Sequence, residues 1–266
     1  MIDVLIPTCE RPAAFAATLA TLATQTYKDF RVILSDQSEA SVFERGEVRA
    51  VVRWLEYQGV PVQCHRHLPK RGVAEQRQFL LEQATSPYVL MLDDDVLLEP
   101  WVLDLLGRVL SEQGCGFVTN AFIGLSFKDD VRPHEQEVEL WDGPVQPERV
   151  TPESDAWWRF KLHNAANLLH VQERLGATPE NPILYKLAWA SGCVLFDRRK
   201  LVEVGGFSFW QDLPPEHAGE DVLVQLRVMA RFGGCGVMPS GVYHQELPTT
   251  VTDRRVDAPQ VLPVEV

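Results

Sequence analysis

The sequence predicts an α/β fold, a single domain on a mostly parallel central sheet flanked by helices, with an elaborated second half. Two observations carry that prediction. Four short apolar runs fall in the first hundred residues, and a stretch with helical spacing separates each run from the next. Strands that alternate with helices of this length join through right-handed crossovers into a parallel sheet.

Residues 2–6 form the first run, a buried strand stopped by Pro7. Pro12 stands where the first turn of a helix tolerates proline. Ala13, Ala16, Ala17, Ala20, Leu22 and Ala23 then keep helical spacing to near Gln25. Residues 30–34 are the second strand, and 43–57 a helix with Val48, Val51, Val52 and Leu55 on one face. A third strand at 60–64, a helix at 72–84, a fourth strand at 88–92 and a helix at 100–110 complete the regular part. After a strand at 117–123 the rhythm breaks. Residues 128–156 are Pro-punctuated and carry nine acids against three bases. Residues 157–175 read as helix, 189–196 as strand and 219–232 as helix. The tail, 248–266, has three prolines and no period, so it is expected to be extended or disordered. No hard boundary divides 1–247, which reads as one domain in two halves, 1–123 and 124–247.

Composition narrows the class. The chain has 266 residues, 45% of them hydrophobic and 23% charged, enough to bury a core without disulfide staples. A net charge of −12 argues against a general nucleic-acid binder, which needs a basic footprint. Five scattered cysteines without a Cys-x-x-Cys pair point to free thiols in a reducing compartment. The N-terminal residues lack the basic region and long apolar run of a signal peptide, and no run of 18 apolar residues exists. A cytoplasmic protein without an integral membrane segment is expected; peripheral association with a membrane stays compatible.

In an open parallel sheet, ligands bind outside the carboxyl ends of the strands. That rule selects Pro7-Thr8-Cys9-Glu10-Arg11-Pro12, Ser35-Asp36-Gln37-Ser38, Pro69-Lys70-Arg71-Gly72 and Asp93-Asp94-Asp95. Three adjacent carboxylates repel unless a cation or donors neutralise them, and such hard oxygens suit Mg²⁺ or Mn²⁺. The competing reading is an acidic helix cap, which needs one such residue rather than three. Gly219-Glu220-Asp221 opens a helix, where the macrodipole alone favours acids. His244 by itself is more often structural than a ligand.

Ile6-Pro7-Thr8-x-x-Arg11-Pro12, Gln25-Thr26-Tyr27, Ser35-Asp36-x-Ser38, Leu92-Asp93-Asp94-Asp95, Gly205-Gly206-Phe207 and Glu220-Asp221 follow in order, with Arg227 after them. This set resembles family 2 glycosyltransferases of the nucleotide-diphospho-sugar transferase (GT-A) fold, from residue 2 to about residue 244. The resemblance implies that Pro7, Thr8, Arg11, Gly72, Arg77, Asp93 and Asp94 bind the nucleotide, Asp93 facing the ribose. Asp36 would accept the N3–H of uracil or thymine, since a carboxylate is an acceptor only. Asp95, with His244 as a further ligand, would hold Mn²⁺ or Mg²⁺ against the diphosphate. Asp221 would be the catalytic base, with Glu220 the close alternative. Lys70-Arg71-Gly72 and Gln76-Arg77-Gln78 depart from the family's common Asn-x-Gly and Ala-Arg-Asn, keeping the glycine and Arg77.

The implied reaction is inverting transfer from a UDP- or dTDP-sugar, rather than a GDP-sugar, to a saccharide or other hydroxyl acceptor. Its setting would be polysaccharide or cell-surface glycan synthesis. Residues 1–123 become the nucleotide-binding half and 124–247 the acceptor-binding half. Trp157, Trp158 and Trp189 are candidates for stacking on the acceptor, with core filling as the alternative. Two rivals remain. A haloacid-dehalogenase-like phosphohydrolase would use Asp93 as nucleophile, and a non-catalytic nucleotide-sugar-binding module would need no Glu220-Asp221.

Overall fold

A computed structural model of the chain describes residues 1–264. In chain order it contains β1 (Ile2–Thr8), α1 (Pro12–Ala23), β2 (Phe30–Asp36), α2 (Gly46–Tyr57), β3 (Val62–Arg66), α3 (Val73–Gln83) and β4 (Tyr88–Leu92). Next come β5 (Val96–Leu98), α4 (Val102–Gln113), β6 (Phe117–Thr119), α5 (Asn167–Leu175), β7 (Ile183–Tyr185) and β8 (Cys193–Asp197). The described chain closes with α6 (Arg198–Glu203), α7 (Glu220–Phe232), β9 (Gly234–Met238), β10 (Val242–His244) and α8 (Ala258–Val261).

Eight strands form one sheet in the order β3-β2-β1-β4-β8-β6-β9-β7. The pairs β3–β2, β2–β1, β1–β4 and β6–β9 are parallel; β8 runs antiparallel to both β4 and β6, and β7 to β9. The mostly parallel sheet is as the sequence predicts. Side chains alternate across it. Ile2, Val4 and Ile6 of β1 pack with α1, α2 and α4, while Leu5 faces the layer of α3, α5, α6 and α7.

Among the elements that differ from the sequence reading, three have an identifiable side-chain reason. Residues 157–175 are not one helix: 3₁₀ turns over Asp155–His163 precede α5, and Ala165 at φ 50° breaks the spiral between them. Asn164 and Asn167 turn their amides to Glu135, and Asn167 also to the Lys161 carbonyl, in competition with the helix ladder. The strand expected at 189–196 begins only at Cys193, because the Gln225 side chain takes both the N–H and the C=O of Ala190. The strand expected at 117–123 stops at Thr119, where Asn120 turns to the carbonyls of Pro239 and Ser240.

Strand β9 has no clear sequence signature because two of its five residues, Gly234 and Gly236, are glycine. At Gly236 the Tyr185 ring occupies the space a Cβ would take. In the tail, residues 248–256 hold no regular element; Asp257 bridges to Ala218, and α8 packs on α7, whose Arg227 donates to the Pro263 carbonyl. The last two residues of the predicted tail lie outside the described residues.

Candidate active site

The carboxyl ends of β1 and β4 bring the first cluster together. Thr8 Oγ1 donates to Asp94 Oδ2 at 2.7 Å, and Arg11 Nη1 donates to Asp95 Oδ2 at 2.6 Å. Asp95 immediately precedes β5, and β5 pairs antiparallel with β10, His244 opposite Val96. That pairing is how a histidine 149 positions away arrives beside Asp95, its Nε2 3.3 Å from Asp95 Oδ2. His244 Nδ1 accepts the Glu246 N–H at 3.0 Å, and Phe122 stacks on the ring.

These contacts split the titration of neighbouring carboxyls. Burial pushes Asp94 up to about 6, with the Asp95 charge adding to it and Thr8 and Arg11 opposing. Burial would raise Asp95 too, but His244 and Arg11 outweigh it and hold its carboxyl below the usual range. His244 is raised in turn, chiefly by its hydrogen bond to Asp95.

The second cluster opens α7. Ser191 Oγ donates to Asp221 Oδ2 at 2.6 Å. Arg77, on α3 and only 6% exposed, joins the two clusters: Nη2 donates to Asp93 Oδ1 at 2.7 Å and Nε to Glu220 Oε1 at 3.2 Å. Burial and then the Asp221 charge push Glu220 up to about 7 against the pull of Arg77. Burial also raises Asp221, again opposed by Arg77.

Both clusters face one cavity of about 880 Å³. Pro7, Thr8, Arg11, Gly72 and Arg77 line it, as do Asp93, Asp94, Asp95 and His244, and Glu220, Asp221, Trp157 and Trp189 across from them. Asp36 and Trp158 are not in the lining. Asp36 is fully buried and already accepts four hydrogen bonds: Ser38 N at 2.8 Å, Ser41 Oγ at 2.9 Å, Val42 N at 3.0 Å and Arg66 Nη1 at 2.7 Å. Three of these converge on Oδ2 and one reaches Oδ1, so the accepting capacity of Asp36 is largely taken up within the protein.

Sequence reasoning missed three participants. Ser191 sits at the amino end of β8, and a rule that reads carboxyl ends overlooks a strand that runs antiparallel. Arg66 sits at the end of the third strand, which runs two residues beyond the predicted 60–64. The tail lines the cavity through Thr249 to Arg254, and Arg11 Nη2 donates to the Pro248 carbonyl; an aperiodic, Pro-bearing segment carries no signal of where it docks.

The family model described as glycosyl transferase family 2 matches residues 3–166. The chain belongs to that family. Among solved structures it is similar to S. aureus TarS 1-349 in complex with UDP-GlcNAc, at 14% identity and TM-score 0.55 over 94% of this chain and 60% of that one. Mannosyltransferase PcManGT from Pyrobaculum calidifontis, in complex with GDP-Man and Mn²⁺, is similar at 18% identity and TM-score 0.52, over 88% of this chain and 56% of that one. GalNAc-T7 with UDP, GalNAc and Mn²⁺ gives 14% identity and TM-score 0.58, over 98% of this chain and 46% of its own. At such identities the likeness is one of fold, the GT-A fold. The chain spans between 36% and 60% of the length of the TarS structures. No curated protein gives a significant match. Membership of family 2 sets aside the dehalogenase-like reading, which has no place for a match that runs through β1 and β2 as well as Asp93. Among the described residues no helix is long and apolar enough to cross a membrane.

Proposed function

We propose that this family 2 chain transfers a sugar from a nucleoside-diphosphate donor to a hydroxyl acceptor, with inversion at the anomeric carbon. The observation that carries the reading is Arg77, which ties Asp93 on the donor side to Glu220 beside Asp221 across one cavity. A donor seated against Asp93 then has a carboxylate facing it from α7. That is the requirement of a one-step displacement, in which Asp221 takes the proton of the incoming hydroxyl as general base. Ser191 and the Val222 N–H hold the Asp221 oxygens in place, while Arg77 occupies Glu220. This supports Asp221 over Glu220 as the base, with Glu220 placing Arg77.

Asp95 and His244 fit a divalent cation. Their nearest donor atoms are 3.3 Å apart, close to the roughly 3 Å between neighbouring ligands that each stand about 2.1 Å from one ion. Among the described residues no group of three His, Cys, Asp or Glu gathers to hold a metal. A two-residue site suits Mn²⁺ or Mg²⁺, which take one or two protein ligands plus substrate phosphates and water. PcManGT and GalNAc-T7 are complexed with Mn²⁺. Bound there, the ion would act as a Lewis acid on the leaving diphosphate. Arg11 must release Asp95 for this and is then free for the phosphates.

UDP and dTDP donors are proposed over GDP through Asp36, and Arg66 must first leave that carboxylate for it to read a base. Thr8, Pro7 and Gly72 line the nucleotide end and Asp94 supports Thr8. Trp157 and Trp189 remain acceptor-stacking candidates, and Trp158 lies outside the lining. The five free cysteines suit a cytoplasmic setting, with polysaccharide or cell-surface glycan assembly as the pathway class and peripheral membrane association compatible. Calorimetry with UDP, dTDP and GDP, each with and without Mn²⁺, tests the reading. Metal-dependent binding of UDP or dTDP is expected; binding of none would overturn it.

A further inference from the structure

The loop that leads into α7 closes one wall of the cavity, and His217 lies within it, 1% exposed. His217 Nδ1 is 2.7 Å from the Pro214 carbonyl oxygen. A carbonyl only accepts, so Nδ1 carries the proton and Nε2 presents a lone pair when the ring is neutral. Burial keeps the ring neutral by holding its pKa below the usual histidine range. Nε2 is buried and has no hydrogen-bond partner. The ring is also clamped. At Gly72, with φ 108°, a Cβ would stand 2.6 Å from the Pro215 oxygen and 2.9 Å from His217 Cε1, so only glycine lets this edge of the imidazole rest on the start of α3.

A fixed, neutral, unpaired acceptor in a cavity wall is incomplete without a donor, because a buried polar atom left unpaired is destabilising. Its position says which donor. Gly72 opens the helix that carries Arg77 to Asp93, and Glu220 follows His217 by three residues. His217 therefore lines the cavity where the start of α3, at Gly72 on the proposed nucleotide end, meets the loop that leads to the α7 carboxylates, and a transferred sugar lies between nucleotide and base. The neighbouring amides of α3 are engaged elsewhere: Gln76 donates to the Ser35 and Thr8 carbonyls, and Gln78 is held between Glu82 and the Phe207 N–H.

We propose that His217 Nε2 accepts a hydrogen bond from one hydroxyl of the transferred sugar and so determines which sugar the site takes. The assignment rests on the glycosyltransferase reading above. It makes His217 a specificity-determining residue of the donor subsite, separate from the metal and from the base.

The test is calorimetry with Mn²⁺ on wild type, His217→Phe and His217→Gln, with UDP and with UDP-glucose, UDP-galactose and UDP-N-acetylglucosamine as probes. Phenylalanine keeps the ring volume and removes the acceptor; the glutamine carbonyl can replace it. The expected result is unchanged UDP affinity in all three proteins, with the preferred UDP-sugar bound about tenfold more weakly by His217→Phe and largely restored in His217→Gln. Preference among the three sugars should flatten in the phenylalanine variant. Monodeoxy analogues of the preferred donor decide the matter on wild type alone, should that variant fail to fold. One deoxy position should cost about tenfold in affinity and the others little. Equal weakening of UDP and UDP-sugar, no change in either, a shift confined to acceptor KM, or a flat deoxy series would each overturn the role of His217. Wild-type protein that binds UDP but discriminates no sugar overturns it while leaving the nucleotide reading intact; wild type that binds none of the probes removes both.

Discussion

The cavity has two acidic clusters, and Asp95 in one is shifted in the opposite direction to Glu220 and Asp221 in the other. Around Asp95 the carboxyl is held down by an arginine and a histidine within 3.3 Å. Around Glu220 and Asp221 the pair shares one arginine, and burial raises both carboxyls, Glu220 to about 7. Cations already compensate Asp95, so it can exchange one cation for another. The second cluster is desolvated and poised to carry a proton near neutrality, which suits acid–base work. Under the proposed function, carboxyls would thus serve as a cation site in one cluster and as a base in the other by what surrounds them.

Four experiments break or sharpen that contrast. Asp221→Asn should lower turnover by about 10²–10⁴-fold with UDP and Mn²⁺ binding unchanged, measured by steady-state assay and calorimetry. If Glu220→Gln alone does this while Asp221→Asn stays active, the two exchange roles. Arg77→Met leaves Asp93 and Glu220 facing a buried gap and should cost about 3–5 kcal/mol in urea unfolding. Part of that should return in Arg77→Met/Glu220→Gln, since the second change removes the uncompensated charge. His244→Ala should weaken Mn²⁺ about tenfold in the presence of UDP, read by Mn²⁺ paramagnetic resonance, whereas Asp221→Ala in the α7 cluster should not. The smallest effect is on pH. The folded state holds the Glu220 proton up to about 7, against 4.5 for an unperturbed glutamate. Within that window the folded state binds more protons than the unfolded one, so this residue's contribution makes stability fall as pH rises from about 4.5 to 7. Thermal melts should show a flatter profile across that window in Glu220→Gln.

Much of the first half was readable because its signals are local. Runs of buried residues, Pro12 at a helix start and the acids after Leu92 each follow from a few neighbouring positions. The carboxyl-end rule then placed Thr8, Arg11 and Asp93–Asp95 at one cavity, and the ordered resemblance added Asp221 and His244. What was hidden depends on distant partners. Gln225 determines where β8 begins, Tyr185 explains why β9 needs Gly236, and the antiparallel run of β8 brings Ser191 to the site. Asp36 shows the same limit: its place after β2 was legible, but Arg66 and three other donors around it were not.

The antiparallel strand also has a consequence for how the protein is made. β8 pairs with β4, yet some hundred residues of chain separate the two. On a ribosome working at about 5–20 residues per second, β1 to β4 emerge first and can join as a parallel half-sheet. Its β4 edge, with Val89, Leu90, Met91 and Leu92 all destined for burial, then stays bare for on the order of 5–20 seconds until Cys193 to Asp197 arrive. An unpaired apolar edge is a template for wrong pairing. Newborn chains should therefore depend on chaperone cover during synthesis of residues 93–197, and a translational pause in that interval should lower the yield of soluble protein more than one placed after it.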